Sequence, residues 1–171
     1  MSDEKPSVYL ETSFISMLTS RPTAFVTTAG MQQFSILWWE KCREDFRLFV
    51  SDLVYDEISR GDVEAATKRL QAIEGVPVLE MDVESRYLAD EIVRRHGIPQ
   101  KAIGDAGHVA CAAVHEIDYI LTWNCRHIAN EFRKPLIERL IQERGFKPPV
   151  ITTPQLLLGE HYDLDFYLRP E

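Results

Sequence analysis

The sequence has no apolar run approaching the roughly 18 residues that a membrane span requires. It carries only three cysteines, Cys42, Cys111 and Cys125, odd in number and without CxxC spacing. A reduced, cytosolic setting is therefore expected rather than a disulfide framework. Basic residues are in short supply, 19 Lys and Arg against 27 Asp and Glu, for a net charge of −8. That balance counts against binding nucleic acid by bulk electrostatics, because phosphate contacts need cations. It leaves room for a local basic rim around a metal site, since a carboxylate cluster contributes negative charge of its own. Neither GxxxxGK[ST] nor GxGxxG occurs, which argues against the glycine loops that cradle nucleotides. The opening segment MSDEKPSVYL is charged and then strand-like, with no basic n-region or apolar h-region, so no signal peptide is expected. No internal repeat, low-complexity stretch or linker interrupts the chain, and a single domain over 1–171 is the economical reading.

What is present alternates. Val8 to Leu10 is β-prone and runs into Glu11-Thr12-Ser13, which reads as strand then loop. Phe34, Leu37, Trp38, Cys42 and Phe46 recur at helical spacing, predicting a long amphipathic helix from about Thr23 to Phe46. Arg47 to Ser51 is a second strand. Ser51 or Asp52 caps a helix from Leu53 to Ser59, ended by Gly61, and Asp62 opens another to about Ile73. Val76 to Leu79 forms a third strand, and Asp82 caps a helix to about His96, broken by Gly97 and Pro99. Gly104-Asp105 opens a helix of small apolar residues, Tyr119 to Thr122 is a fourth strand, and Asn130 to Gly145 a charged helix. Pro149 to Thr152 is the fifth strand, with Pro154 at the first position of a short helix. Strands alternating with helices predict an α/β fold, a mostly parallel central sheet of about five strands in a three-layer α/β/α arrangement. Ligands in such sheets gather beyond the carboxyl ends of the strands. Polar residues from four separate segments fall there: Glu11, Glu57, Asp105 and Asn124.

The four segments are VYLETS (8–13), SDLVYDEISRGD (51–62), GDAGHVACA (104–112) and ILTWNCRH (120–127). Their order and context resemble a PIN domain, in particular the VapC-type ribonuclease toxins of type II toxin–antitoxin systems. The resemblance covers about 8–158 and leaves 159–171 as a C-terminal tail. Carried over residue by residue, it implies that Glu11, Glu57 and Asp105 stand at the family's acidic, metal-binding positions and Asn124 at the fourth catalytic position. It implies Mg²⁺ or Mn²⁺ as cofactor and hydrolysis of an RNA phosphodiester to a 5′-phosphate and a 3′-hydroxyl. It further implies a small antitoxin as partner and a homodimer, for which an exposed aromatic helix around Trp38 offers a surface. Two positions depart from the usual pattern. Glu11 stands where most members have Asp, and Asn124 where many have Asp. A subgroup with Glu-Thr-Ser and Thr-Trp-Asn-x-x-His shares both variants.

The donor chemistry agrees with this reading. Oxygen ligands without thiolate suit Mg²⁺ and Mn²⁺, and carboxylates gathered without a cation would repel until one held a proton. In the expected roles, Asp105 is a direct metal ligand and Glu11 a second ligand or the holder of a metal-bound water. Glu57 orients or deprotonates the attacking water, and Asn124 anchors an outer water or a second ion. Thr12, Ser13, Arg126 and His127 are candidates for substrate binding, the first two through hydroxyl or backbone donors that also fix the carboxylates.

Competing readings are plainer. Glu57 beside Asp52, Asp56 and Asp62 fits a solvated acidic face, and Asp105 fits a first-turn acid favoured by the helix dipole. His108, Cys111 and His115 share a helix face, but no fourth zinc ligand is evident and a packed face is expected. Lys41, Arg43 and Arg47 read as a solvated face or as contacts for RNA or an antitoxin. A phosphatase would need Asp-x-Asp after the first strand, where Glu-Thr-Ser stands, and a receiver domain an acidic pair there. A PIN domain that has lost catalysis and serves as a binding module is the main alternative.

Overall fold

A computed structural model describes residues 4–161 of the chain. The strands are β1 (Ser7–Leu10), β2 (Arg47–Ser51), β3 (Val78–Leu79), β4 (Tyr119–Leu121) and β5 (Val150–Thr152). They form one sheet in the order β3-β2-β1-β4-β5, and every pairing is parallel. All four residues of β1 are buried, as expected of a central strand covered on both faces. The chain steps outward from β1 to β3 and then returns to the other side of β1. The reversal of strand order lies between β1 and β4, and the crevice at their carboxyl ends is where such a sheet places a ligand.

The α-helices are α1 (Thr12–Thr19), α2 (Val26–Lys41), α3 (Asp52–Ile58), α4 (Val63–Ala72), α5 (Val83–Arg94), α6 (Ile103–Val114) and α7 (Lys134–Glu143). Helices α1, α2 and α4 pack as one group and α5, α6 and α7 as another, giving the three-layer α/β/α fold. Among the described residues no helix is long and apolar enough to cross a membrane. Phe14 on α1 and Trp38 on α2 are both fully buried and meet edge to face, with ring centroids 5.5 Å apart. Trp38 is therefore core, while its helix neighbours Phe34 and Trp39 are half-buried.

Several expected elements differ in the structure. Glu11-Thr12-Ser13 is not a loop: Glu11 is the N-cap of α1, its carboxylate accepting from the Ser13 backbone N–H. The long helix ends at Lys41, where the chain tightens into a 3-10 turn (Arg43–Asp45) before β2. The charged helix starts at Lys134 instead of Asn130, because Asn130 closes a turn by accepting from the Phe132 N–H. Pro154 opens only a single turn, in which the Thr153 carbonyl accepts from Leu156 and Leu157, both at 3.1 Å. The expected tail at 159–171 contributes a 3-10 turn at Gly159–His161 and otherwise lies outside the described residues.

At the opposite end of the sheet from the crevice, Asp118 ties β4 to β1. Its Oδ2 accepts from the Ser7 backbone N–H and the Ser7 hydroxyl, each at 2.9 Å, and its own N–H donates to Ser7 Oγ at 2.9 Å. The Ser7 N–H bond holds the Asp118 carboxyl below its usual pKa, against partial burial, with Ser7 Oγ and Lys147 adding to the effect. A depressed folded pKa contributes stability above the unfolded value, and the contribution disappears as pH falls through the folded one. Asp118→Asn is thus expected to cost about 1–2 kcal/mol at pH 7. The difference from wild type should begin to shrink below about pH 4 and vanish only once pH falls below the lowered folded value, as read from urea midpoints across pH.

Candidate metal centre

The crevice at the ends of β1 and β4 gathers three of the four sequence-expected segments, and α3 brings the remaining one. Glu11 follows β1 directly and is buried. Its Oε2 accepts from Thr122 Oγ1 at 2.6 Å, from the Ser13 N–H at 3.1 Å and from the Ser13 hydroxyl. Ser13 Oγ also accepts from the Trp123 N–H at 2.8 Å, so the loop after β4 is sewn to the start of α1. Trp123 Nε1 donates to Ser35 Oγ at 2.8 Å, anchoring that loop on α2. Glu57 projects from the last turn of α3, its side chain 28% exposed. Its Oε2 accepts from Thr12 Oγ1 at 2.5 Å and lies 3.0 Å from His108 Nε2. A Cβ on Gly104 would meet Glu57 Oε1 at 3.3 Å, so the absence of a side chain at the start of α6 makes room for this carboxylate.

Ligand atoms of Glu11, Glu57 and His108 all lie within 4.8 Å of one another. Asp105, in the first turn of α6, falls outside this group and forms its own pair with His127, Oδ2 to Nδ1 at 2.7 Å. The electrostatics join the two pairs. Burial opposes charge on the His108 ring, but the hydrogen bond to Glu57 and the negative charges of Glu11, Glu57 and Asp105 outweigh it, and its pKa is raised. Burial likewise opposes charge on Glu57, yet His108, Thr12 and Arg60 bring its pKa down. Both directions favour a carboxylate facing an imidazolium, which offsets the repulsion between neighbouring acids. Behind the imidazole, Nδ1 is 2.7 Å from the Tyr9 hydroxyl, which is 2.6 Å from Ser51 Oγ. Burial pushes the Tyr9 pKa well up, so this group stays O–H.

The family model described as PIN domain matches residues 8–132. The chain belongs to the PIN-domain family. Its fold is that of VapC20 of Mycobacterium tuberculosis, a Sarcin-Ricin loop cleaving toxin, at a TM-score of 0.56 and 18% identity over 73% of this chain and 95% of that one. VapBC2 from Rickettsia felis, in a complex with a DNA fragment from its promoter, overlaps at a TM-score of 0.48 with 10% identity, covering 85% of this chain and 97% of that one. No curated protein matches the chain.

Within this PIN fold the expected site residues divide. Glu11 and Glu57 converge with His108, whereas Asp105 pairs with His127 and reaches the group only through its charge on His108. Asn124 turns back on its own loop, its side-chain oxygen accepting from the His127 N–H at 3.1 Å. Thr12 and Ser13 spend their hydroxyls on Glu57 and Glu11, as fixers of carboxylates. Arg126 is exposed just beyond β4, while His127 is held against Asp105. Arg47 opens β2 at the end of the sheet opposite the crevice and pairs with Glu4 at 2.9 Å. Arg43 pairs with Glu44 and lies over Trp39, and neither arginine reaches the crevice rim. The shared face of His108, Cys111 and His115 divides two ways. His108 serves Glu57 and Tyr9, whereas His115 Nε2 and Cys111 Sγ both approach the Glu80 carbonyl, at 2.9 and 3.8 Å. Burial pushes the Cys111 thiol up to about 12, so it stays protonated.

Tyr9, His108, Thr122 and Arg60 are the participants that sequence reasoning did not assign to the site. Two of them had a signal. Tyr9 and Glu11 are two residues apart on a strand and its exit, and Asp105 and His108 are one helical turn apart.

Proposed function

We propose that this protein is a metal-dependent endoribonuclease, the toxin of a type II toxin–antitoxin pair. The observation that carries the reading is the convergence of Glu11 and Glu57 at the strand-order reversal of a PIN fold. The donor set fits a small divalent ion, carboxylate oxygens without thiolate, and Gly104 leaves room for the Glu57 carboxylate. Glu11, Glu57 and Asp105 would hold Mg²⁺ or Mn²⁺. When bound, the ion would lower the pKa of a water and offset charge on the phosphate during in-line displacement.

The remaining chemistry belongs to the chain. Glu57, the more exposed of the two converging glutamates, orients or deprotonates the attacking water. Thr12 fixes its rotamer, and Ser13 and Thr122 fix that of Glu11. His127 aims Asp105. Arg126, exposed beyond β4, and Arg60, whose charge reaches Glu57, would meet phosphates flanking the scissile bond. An antitoxin, a homodimer and a cytoplasmic setting complete the reading, supported by family membership and by a fold shared with a toxin. Asn124 capping its own turn is the observation that favours the alternative, a PIN domain acting only as a binding module.

Induced expression in a bacterial host is expected to arrest growth and fragment cellular RNA, and Asp105→Asn expressed to the same level should do neither. Equal effects of the two proteins would remove Asp105 from the chemistry. Absence of any effect from wild type would favour the binding module.

A further inference from the structure

Beneath the carboxylates lies a side chain that an acidic metal site does not require. His108 is fully buried on α6, and its Nε2 faces the same space as Glu11 and Glu57. The Nε2 to Glu57 Oε2 separation is 3.0 Å. Two ligands at right angles, each about 2.1 Å from a small octahedral ion, stand about 3 Å apart. The pair is therefore already spaced as neighbouring ligands would be.

The other side of the ring is built to match. Nδ1 is 2.7 Å from the Tyr9 hydroxyl, which continues to Ser51 Oγ at 2.6 Å. Metal-binding histidines are characteristically held in this way, the far N–H given to a fixed oxygen that sets tautomer and ring plane. A hydroxyl can donate or accept. Tyr9 therefore accepts from Nδ1–H both when the ring is an imidazolium whose Nε2–H donates to Glu57 and when an ion displaces that proton and leaves Nε2 bare. Exchange between these states needs no side chain to move.

Resting on the metal-dependent reading above, we propose that His108 Nε2 is a ligand of the divalent ion beside Glu11 and Glu57, and that this nitrogen biases the site toward a first-row transition ion over Mg²⁺. Mg²⁺ gains little from imidazole, being a hard ion that prefers oxygen, whereas transition ions gain more. Tyr9 and Ser51 are then positioning residues that hold the ring.

The test uses full-length, metal-stripped protein loaded with Mn²⁺ and examined by pulsed EPR, where a directly bound nitrogen shows as a hyperfine coupling. An imidazole nitrogen coupling is expected in wild type and in His127→Gln, and it should be absent from His108→Gln. By calorimetry, the ratio of Mn²⁺ to Mg²⁺ affinity should fall about tenfold or more in His108→Gln. If that buried substitution prevents folding, wild type and His127→Gln decide the matter between them. Bound Mn²⁺ without nitrogen coupling overturns the proposal and leaves the metal-dependent reading standing. Loss of the coupling in His127→Gln assigns the nitrogen to the other histidine and also overturns it. No Mn²⁺ binding at millimolar ion overturns both.

Discussion

Glu57→Gln is expected to lower RNA cleavage by about 10²- to 10⁴-fold, the range for removing a positioned acid–base group, while leaving the fold intact. Three features of this glutamate make the effect large. It is reached by donors from two elements, Thr12 Oγ1 on α1 and His108 Nε2 on α6, so its orientation is set in advance. It is held ionised despite burial, mainly through His108. Its side chain also remains 28% exposed, within reach of solvent. A glutamine of the same shape removes the negative charge and presents an N–H₂ where an acceptor stood. Single-turnover cleavage of a labelled RNA measures the loss. A variant within fivefold of wild type, with unchanged urea midpoint, would leave Glu57 as part of a solvated acidic face.

Phe14→Ala is expected to destabilise the protein by about 3–5 kcal/mol, the range for truncating a buried aromatic. Phe14 is fully buried and packs edge to face on Trp38 at 5.5 Å and more loosely on Trp39 at 6.3 Å, so the cavity would open where α1 meets α2. Helix α1 also carries the donors that set Glu11, and Thr12 and Ser13 stand immediately before Phe14 in the sequence. Cleavage by the folded fraction should therefore drop as well, a coupling that an isolated core change far from the crevice would not show. Urea unfolding and single-turnover cleavage of the same variant test both parts. A loss below about 1 kcal/mol would mean that α1 collapses into the gap more readily than close packing allows.

The parallel sheet was legible because its strands are short β-prone runs separated by capped helices, and Ser51, Asp62 and Asp82 cap where the sequence places them. Helix α1 was not. Thr12-Ser13-Phe14 carries no periodic signal that separates a buried helix from a loop, and the capping residue is Glu11, outside the usual Ser, Thr, Asp and Asn set. The site was legible as carboxylates in order along the chain. Its organisation was not, because hydrogen bonds such as Thr122 to Glu11 join residues 111 positions apart. His108 shows the limit most clearly. Its small apolar neighbours correctly announce a packed face, and only the placement of α3 opposite α6 turns that packing into a contact with Glu57.

The most direct measurement is cleavage of a labelled RNA by purified wild-type protein, with Mn²⁺ or Mg²⁺ present, then with EDTA, then with the ion restored. Cleavage that needs the ion, stops in EDTA, returns on restoration and leaves 5′-phosphate and 3′-hydroxyl ends is the predicted result. Cleavage undiminished in EDTA, or none from any RNA under any ion, would contradict it.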